Sequence, residues 1–499
     1  MTLDLERLRR EAEAFLREAG LEEYENLAGL KAESRLAEVY ERHAHLADRG
    51  LALEAGGDRR LAGTPFAEFL VGLHAGRAAA PATDRLLAEE ARATLDLEGA
   101  TLTYRNAAVA IHNEADRPPR ARLARARADV DARLAPLHAE VWARTYEALA
   151  GVGYPDYVGM CAAFSGIDYR ALAGRLAAFT RATDDLYRDH LTFYLRKGVG
   201  PTPGGAAAHD LARVLRAPQF DGLFQRSDLV RTAERTAAGL GLSLTAEGRI
   251  EVDDEARPGK TPRAFCMPVE VPQRVILVVM PQGGQDDYRA FLHELGHALH
   301  FAHMDPSLPL EARRLGDNSL TEGFAFVVEH LVQQPTWLKR VLGLSAGPLA
   351  DCLRFAYFGL LYIVRRYGAK LAYELELHPG GGAAATPGGE AGRARAERYR
   401  EALHRALLVE YPAEGYLADL DPGFYAARYL RAWMFEAELR EQLYERFDDE
   451  WFRNPRAGAF LRELWRQGQP ARLETLVAAV GLPPLDLAPL ERLITRALA

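Results

Sequence analysis

An apolar residue returns every third or fourth position through most of this chain, and the pattern lapses only once. Residues 3–18 set Leu5, Leu8, Ala12, Phe15 and Leu16 on one stripe with charges opposite, the signature of an amphipathic helix. Similar Ala/Leu/Arg/Glu stretches run through 34–56, 84–97, 120–150, 168–196 and 226–240, then 350–377, 394–409 and 424–447. Such a chain is expected to fold mainly as α-helix. The lapse covers 248–253, 263–271 and 274–280, rich in Val and Ile and bounded by Pro and Gly, which predicts one small sheet. The Gly/Pro-rich segments 198–209 and 378–392 predict exposed, flexible connections. No internal repeat is found.

With 499 residues, 48% of them hydrophobic, the chain can bury a large core without covalent staples. Its three cysteines, Cys161, Cys266 and Cys352, lack metal-site spacing and point to a reducing compartment. A formal charge of −8, from 62 basic and 70 acidic residues, argues against general nucleic-acid binding. No uncharged run reaches the length of a membrane helix, and the first twenty residues carry charges throughout with no apolar leader. The expectation is a cytoplasmic protein with no membrane partner.

After the β-rich patch comes Pro281-Gln282-Gly283-Gly284, and a helix is expected to open at Asp286 or Asp287. That helix carries His293-Glu294-Leu295-Gly296-His297. Histidines four apart share one helical face, so both rings can ligate one zinc ion, with Glu294 in reach of an activated water. Such a site needs a third protein ligand. Glu322, in Ser319-Leu320-Thr321-Glu322, opens a second apolar helix 25 residues after His297 and is the candidate. The same four residues also read as a capping box. Glu329, two turns on, is on the face that would orient a ligand histidine, or else forms a plain salt bridge. Cys266 reads as a small buried sheet residue and His300 as structural.

His293–His297 within FLHELGHALH, followed by Glu322 and Glu329, resembles the thimet oligopeptidase and oligoendopeptidase F family of zinc peptidases, with spacing also similar to the angiotensin-converting enzyme family. The likeness covers roughly 260–440. It implies a two-lobed helical fold with a deep central channel and a small sheet beside the zinc helix. On that basis the helical lobe is expected over 1–240 and the catalytic lobe over 241–499. Asp421-Pro422-Gly423-Phe424-Tyr425-Ala426-Ala427-Arg428-Tyr429 resembles the family's Tyr-rich segment, so the resemblance gives the oxyanion-stabilising role to Tyr429 first and Tyr425 second. An alternative is that Tyr425, Tyr429 and Trp433 form a core stripe at i, i+4 and i+8. Relatives carry a histidine nine or ten residues before the second Tyr, where this chain has Asp419 and Leu420.

Arg428 and Arg431 flank Tyr429 and either matches a peptide carboxylate; Arg365-Arg366-Tyr367 is a weaker candidate of the same kind. The implied activity is hydrolysis of short peptides at one zinc ion per chain, with Glu294 as general base. The alternatives are a metallocarboxypeptidase of similar fold and a non-catalytic zinc- or peptide-binding protein on a peptidase scaffold.

Overall fold

A computed structural model describes residues 3–31, 33–97, 100–378 and 389–499. The fold is mainly α, with 72% of the chain helical and 5% in strands, as the periodicity predicts. The first amphipathic segment forms Leu5–Leu27, opened by Asp4, whose side chain accepts from the Arg7 backbone N–H. The stretch expected to be helical over 84–97 instead ends at Arg92. Thr94–Leu97 (β1) pairs antiparallel with Ala100–Thr103 (β2), so the described residues hold two small sheets rather than one. The Thr-rich flanks of this pair favour extended backbone. Its Leu95 is buried in a satellite cluster with Leu86, Ile111 and Leu134.

The expected sheet forms from Ile250–Asp253 (β3), Phe265–Glu270 (β4) and Arg274–Val278 (β5), in the order β3-β5-β4. β5 is the central strand, parallel to β3 and antiparallel to β4. Alternation sorts its side chains. Ile276 and Val278 meet Leu21, Tyr24 and Met267, while Val275 and Leu277 join the main core. β4 is therefore an edge strand, and Pro268, which has no N–H to donate, is tolerated there.

Three helices define the centre of the molecule: Gln285–Ala302, Asn318–Glu329 and Tyr425–Phe447. Two glycines let them approach. A Cβ on Gly296 would lie 2.6 Å from the Ala325 Cα, and one on Gly323 would lie 2.4 Å from Phe435 Cδ1. The first helix starts at Gln285 with Gly284 (φ +92°) as its cap, not at an aspartate cap as expected. Asp287 instead accepts from the Gln282 and Gly283 backbone N–H groups and ties down the preceding loop.

One hydrophobic cluster extends from Ala12 to Leu498. Among the described residues, one helix, Ala346–Leu377, is long and apolar enough to cross a bilayer by length and composition. It lies within the core and carries buried Arg365, Lys370 and Glu374. The 198–209 segment is not simply exposed. Ala206 is buried, and Ala207 bridges to Glu410, with the Ala208 N–H donating to the Glu410 carbonyl and the Glu410 N–H to the Ala206 carbonyl. Of 378–392, residues 379–388 lie outside the described residues; His378 is buried and Gly389 begins a helix.

Candidate metal centre

His293 and His297 stand one turn apart on the Gln285–Ala302 helix, and the close approach at Gly296 brings Glu322 of the facing helix against them. His293 Nε2 lies 3.1 Å from Glu322 Oε2 and 3.1 Å from His297 Nε2, and His297 Nε2 lies 3.5 Å from Glu322 Oε2. All three side chains are buried. The outer ring nitrogens are engaged elsewhere: His293 Nδ1 is 2.8 Å from Glu329 Oε2, and His297 Nδ1 is 3.0 Å from Thr321 Oγ1. A carboxylate accepts only and faces each ring nitrogen of His293; the tautomer protonated on Nδ1 toward Glu329, which the Thr321 contact also allows on His297, is the one that frees both Nε2 lone pairs. Two imidazole lone pairs and a carboxylate oxygen then converge with no proton between them. Such a cluster of acceptors is costly in a dry interior unless a cation sits among them. His293, His297 and Glu322 could hold a metal ion, and among the described residues no other group of this kind converges.

The same electrostatics show in the protonation preferences. Burial alone would lower the His293 pKa, but hydrogen bonds to Glu322 and Glu329 outweigh it and push it up to about 10. Burial disfavours the Glu322 carboxylate, yet the facing imidazoles hold its pKa well below the usual range. With these acceptors so close, a positive charge is needed, and in the absence of a metal a proton supplies it.

Glu294 feels the charges of both histidine neighbours and of Glu322 but is not one of the converging ligand atoms. It is half-buried beside the β4 edge; burial raises its pKa, and the Cys266 backbone amide partly offsets this. Cys266 is half-buried next to it and does not join the ligand group; desolvation pushes its thiol well above its ordinary value. His300 is fully buried on the far side of Thr321, 3.3 Å from the hydroxyl, and burial lowers its pKa to about 3. It too stays outside the group.

Glu322 does not act as a capping residue. Asp317 caps this helix by accepting from the Ser319 N–H, and the Ser319 hydroxyl has no partner among the described residues. Tyr425, expected second, is the tyrosine that reaches the centre: its hydroxyl donates to Glu322 Oε1 at 2.5 Å. Tyr429, expected first, stacks on Tyr367 and meets Phe326 and Trp433 edge-on. The stripe at i, i+4 and i+8 is thus present, and its first member also touches a candidate ligand.

The arginines expected to meet a peptide carboxylate are engaged with carboxylates of the chain itself. Arg428 pairs with Glu68 at 3.2 Å, and buried Arg431 pairs with Asp317 and Glu474 at 3.2 and 3.0 Å. Arg365 is fully buried against Asp184, the Thr183 hydroxyl and the Thr180 and Ala406 carbonyls. Asp419 accepts from Arg366, Lys370 and Tyr399. Its carboxylate is spent on a local ion network rather than on the centre.

Two participants escaped the sequence reading. Thr321 supports His297, and its place beside Glu322 in sequence is the one available signal. Arg289, one turn before His293, pairs through Nε with Glu329 Oε1 at 3.2 Å. Its spacing of four from His293 was readable but indistinct among 57 arginines. In comparisons with known proteins, no family model matches the chain and no curated protein does.

Proposed function

We propose that the protein is a zinc-dependent metallopeptidase that hydrolyses short peptides, as the resemblance of its motif implies. The reading is carried by the three-atom convergence of His293, His297 and Glu322 at 3.1–3.5 Å. Tetrahedral zinc bonded at about 2.0–2.1 Å requires its ligand atoms to stand about 3.3–3.4 Å apart. The donor set of two imidazoles and one carboxylate is also one that zinc accepts while keeping a position open. When bound, zinc supplies Lewis acidity and brings water close to neutral pKa.

The chain's own residues do the rest. Glu294 is a carboxylate of raised proton affinity, suited to accept a proton from attacking water and deliver it to the leaving amine. Burial and the charge of Glu322 raise the Tyr425 pKa, so its phenol stays protonated and can donate a hydrogen bond to a developing oxyanion without adding full charge. Glu329 and Thr321 fix the ring orientations of His293 and His297.

The free edge of β4 offers backbone groups to an extended substrate, which binds a peptide without selecting side chains. Arg314 and Arg313 already donate to the Val269 and Val271 carbonyls, so the stretch left to a substrate is the Phe265–Pro268 end, where the Cys266 amide meets Glu294 and Pro268 has no N–H to offer. Three free cysteines fit work in a reducing, cytoplasmic setting. The test is a quenched fluorescent peptide library with chelated and zinc-restored protein. Cleavage that vanishes on chelation and returns with zinc supports the assignment; stoichiometric zinc with no cleavage of any peptide refutes it.

A further inference from the structure

A cavity of about 520 Å³, within the size range of small-molecule sites, has on its wall Arg289, one helical turn before His293, and none of the candidate metal ligands. Its walls come from distant parts of the chain, including Arg127 and Asp131, Gln285 to Arg289, Gly359 to Arg366, and Tyr411 to Asp419. Most of its charges are already matched. Arg216 pairs with Asp221, Arg366 with Asp419, and Asp131 accepts from the Tyr104 hydroxyl. Arg289 differs. Only its Nε is engaged, by Glu329, and among the described residues neither Nη has a partner. Nearly half of its side chain (48%) is open to solvent although protein surrounds it, so the free end of the fork faces the cavity. Asp286, also on the wall, lies beyond ion-pair distance of it among the described residues.

We infer that Arg289 binds the free C-terminal carboxylate of a short peptide whose scissile bond lies at the metal centre. This deepens the peptidase reading and rests on it. A guanidinium matches a carboxylate in bidentate fashion through the very nitrogens left free here. The role expected of Arg428 and Arg431 thus falls to a residue on the metal-binding helix itself. Arg289 precedes His293 by one turn, about 6 Å along the axis. An extended peptide advances about 3.3–3.6 Å per residue, so the carboxylate falls about two residues past the cut. Glu329 joins the two sites, since one oxygen meets Arg289 and the other meets His293.

The test measures binding, so it does not depend on turnover. A zinc-loaded Glu294→Gln chain is titrated calorimetrically with acetyl-Ala-Phe-Ala as free acid and as C-terminal amide. The free acid is expected to bind about 10- to 100-fold more tightly, the worth of a charge-assisted pair. Adding Arg289→Gln is expected to bring the acid-to-amide ratio close to one, while Arg289→Lys leaves part of the preference. Gly359→Phe fills the cavity from the opposite wall, where a Cβ meets nothing within 4 Å, and is expected to weaken both peptides at least tenfold. Equal binding of acid and amide overturns the inference, as does failure to bind either. A preference that survives Arg289→Gln, or affinities untouched by Gly359→Phe, overturns it too. If the acid preference holds but the zinc-loaded native chain cleaves no peptide, the peptidase reading fails and the carboxylate site stands.

Discussion

Gly296→Ala adds one methyl group at a close approach between the two helices that present the candidate metal ligands. The new Cβ would stand 2.6 Å from Ala325 Cα and 3.1 Å from the Ala325 and Phe324 carbonyl oxygens. All three are backbone atoms, so no side chain can swing aside. An ordinary carbon–carbon contact is about 3.5–4.0 Å, so the helices must separate by about 1 Å. Overpacking of this kind costs about 1–3 kcal/mol. Glu322 lies one turn from Ala325 on the moving helix, and its Oε2 now sits 3.1 Å from His293 Nε2. Metal sites tolerate only about 0.2 Å of error in ligand distance. The variant is therefore expected to lose at least the 10- to 100-fold in metal affinity that follows loss of an outer supporting residue. Chelator competition reads the affinity and calorimetry reads the stability. Gly72→Ala is the control: it lies in open space on the Pro65–Arg92 helix, and is expected to gain about 0.5–1 kcal/mol. A Gly296→Ala chain with native metal affinity and melting temperature refutes the packing argument.

Four further outcomes are expected. Glu294→Gln keeps its metal, by elemental analysis, and loses about 10²- to 10⁴-fold in kcat; near-native turnover removes Glu294 as the base. Glu329→Gln retains the fold but weakens metal binding about 10- to 100-fold in a competition assay, because the single amide oxygen carries no charge and cannot serve both His293 Nδ1–H and Arg289. Tyr425→Phe deletes the donor to Glu322 Oε1 and lowers kcat more than it raises KM; a pure KM effect would place its hydroxyl in ground-state binding only. Burial lowers the His378 pKa to about 4, against about 6.5 in an unfolded chain. Below pH 6.5 the unfolded state takes up this proton and the folded state does not. Stability from this group is therefore complete above about 6.5 and is lost as pH falls toward 4. His378→Phe should flatten the pH dependence of the denaturant midpoint by about one proton over that window.

The helical body was legible because amphipathic spacing repeats over whole turns and needs no tertiary information. The β1–β2 pair was not: four-residue strands at the end of a 28-residue helix leave a window too short for the period to change visibly. The two histidines of the motif lie on one helix, so local spacing alone fixes their face. Glu322 is different. Its capping-box pattern is equally local, and only the close helix crossing at Gly296 turns it toward the histidines. The ion pairs of the arginines were hidden for the same reason. Arg428 and Arg431 flank the tyrosines in sequence, but their carboxylate partners Glu68, Asp317 and Glu474 come from distant segments. Arg289 shows the converse, because its free nitrogens become meaningful only once the cavity wall around it is assembled.

The central claim is that His293, His297 and Glu322 grip one zinc ion, and X-ray absorption at the zinc edge on purified, stoichiometrically loaded protein tests it most directly. The expected spectrum shows a first shell of nitrogen and oxygen only, at about 2.0–2.2 Å, with imidazole scattering from two rings. Glu322→Ala should lower zinc content and remove one light ligand. A sulfur shell at about 2.3 Å, which only a cysteine such as Cys266 could supply, or zinc retained unchanged in a His293→Ala/His297→Ala chain, would contradict it.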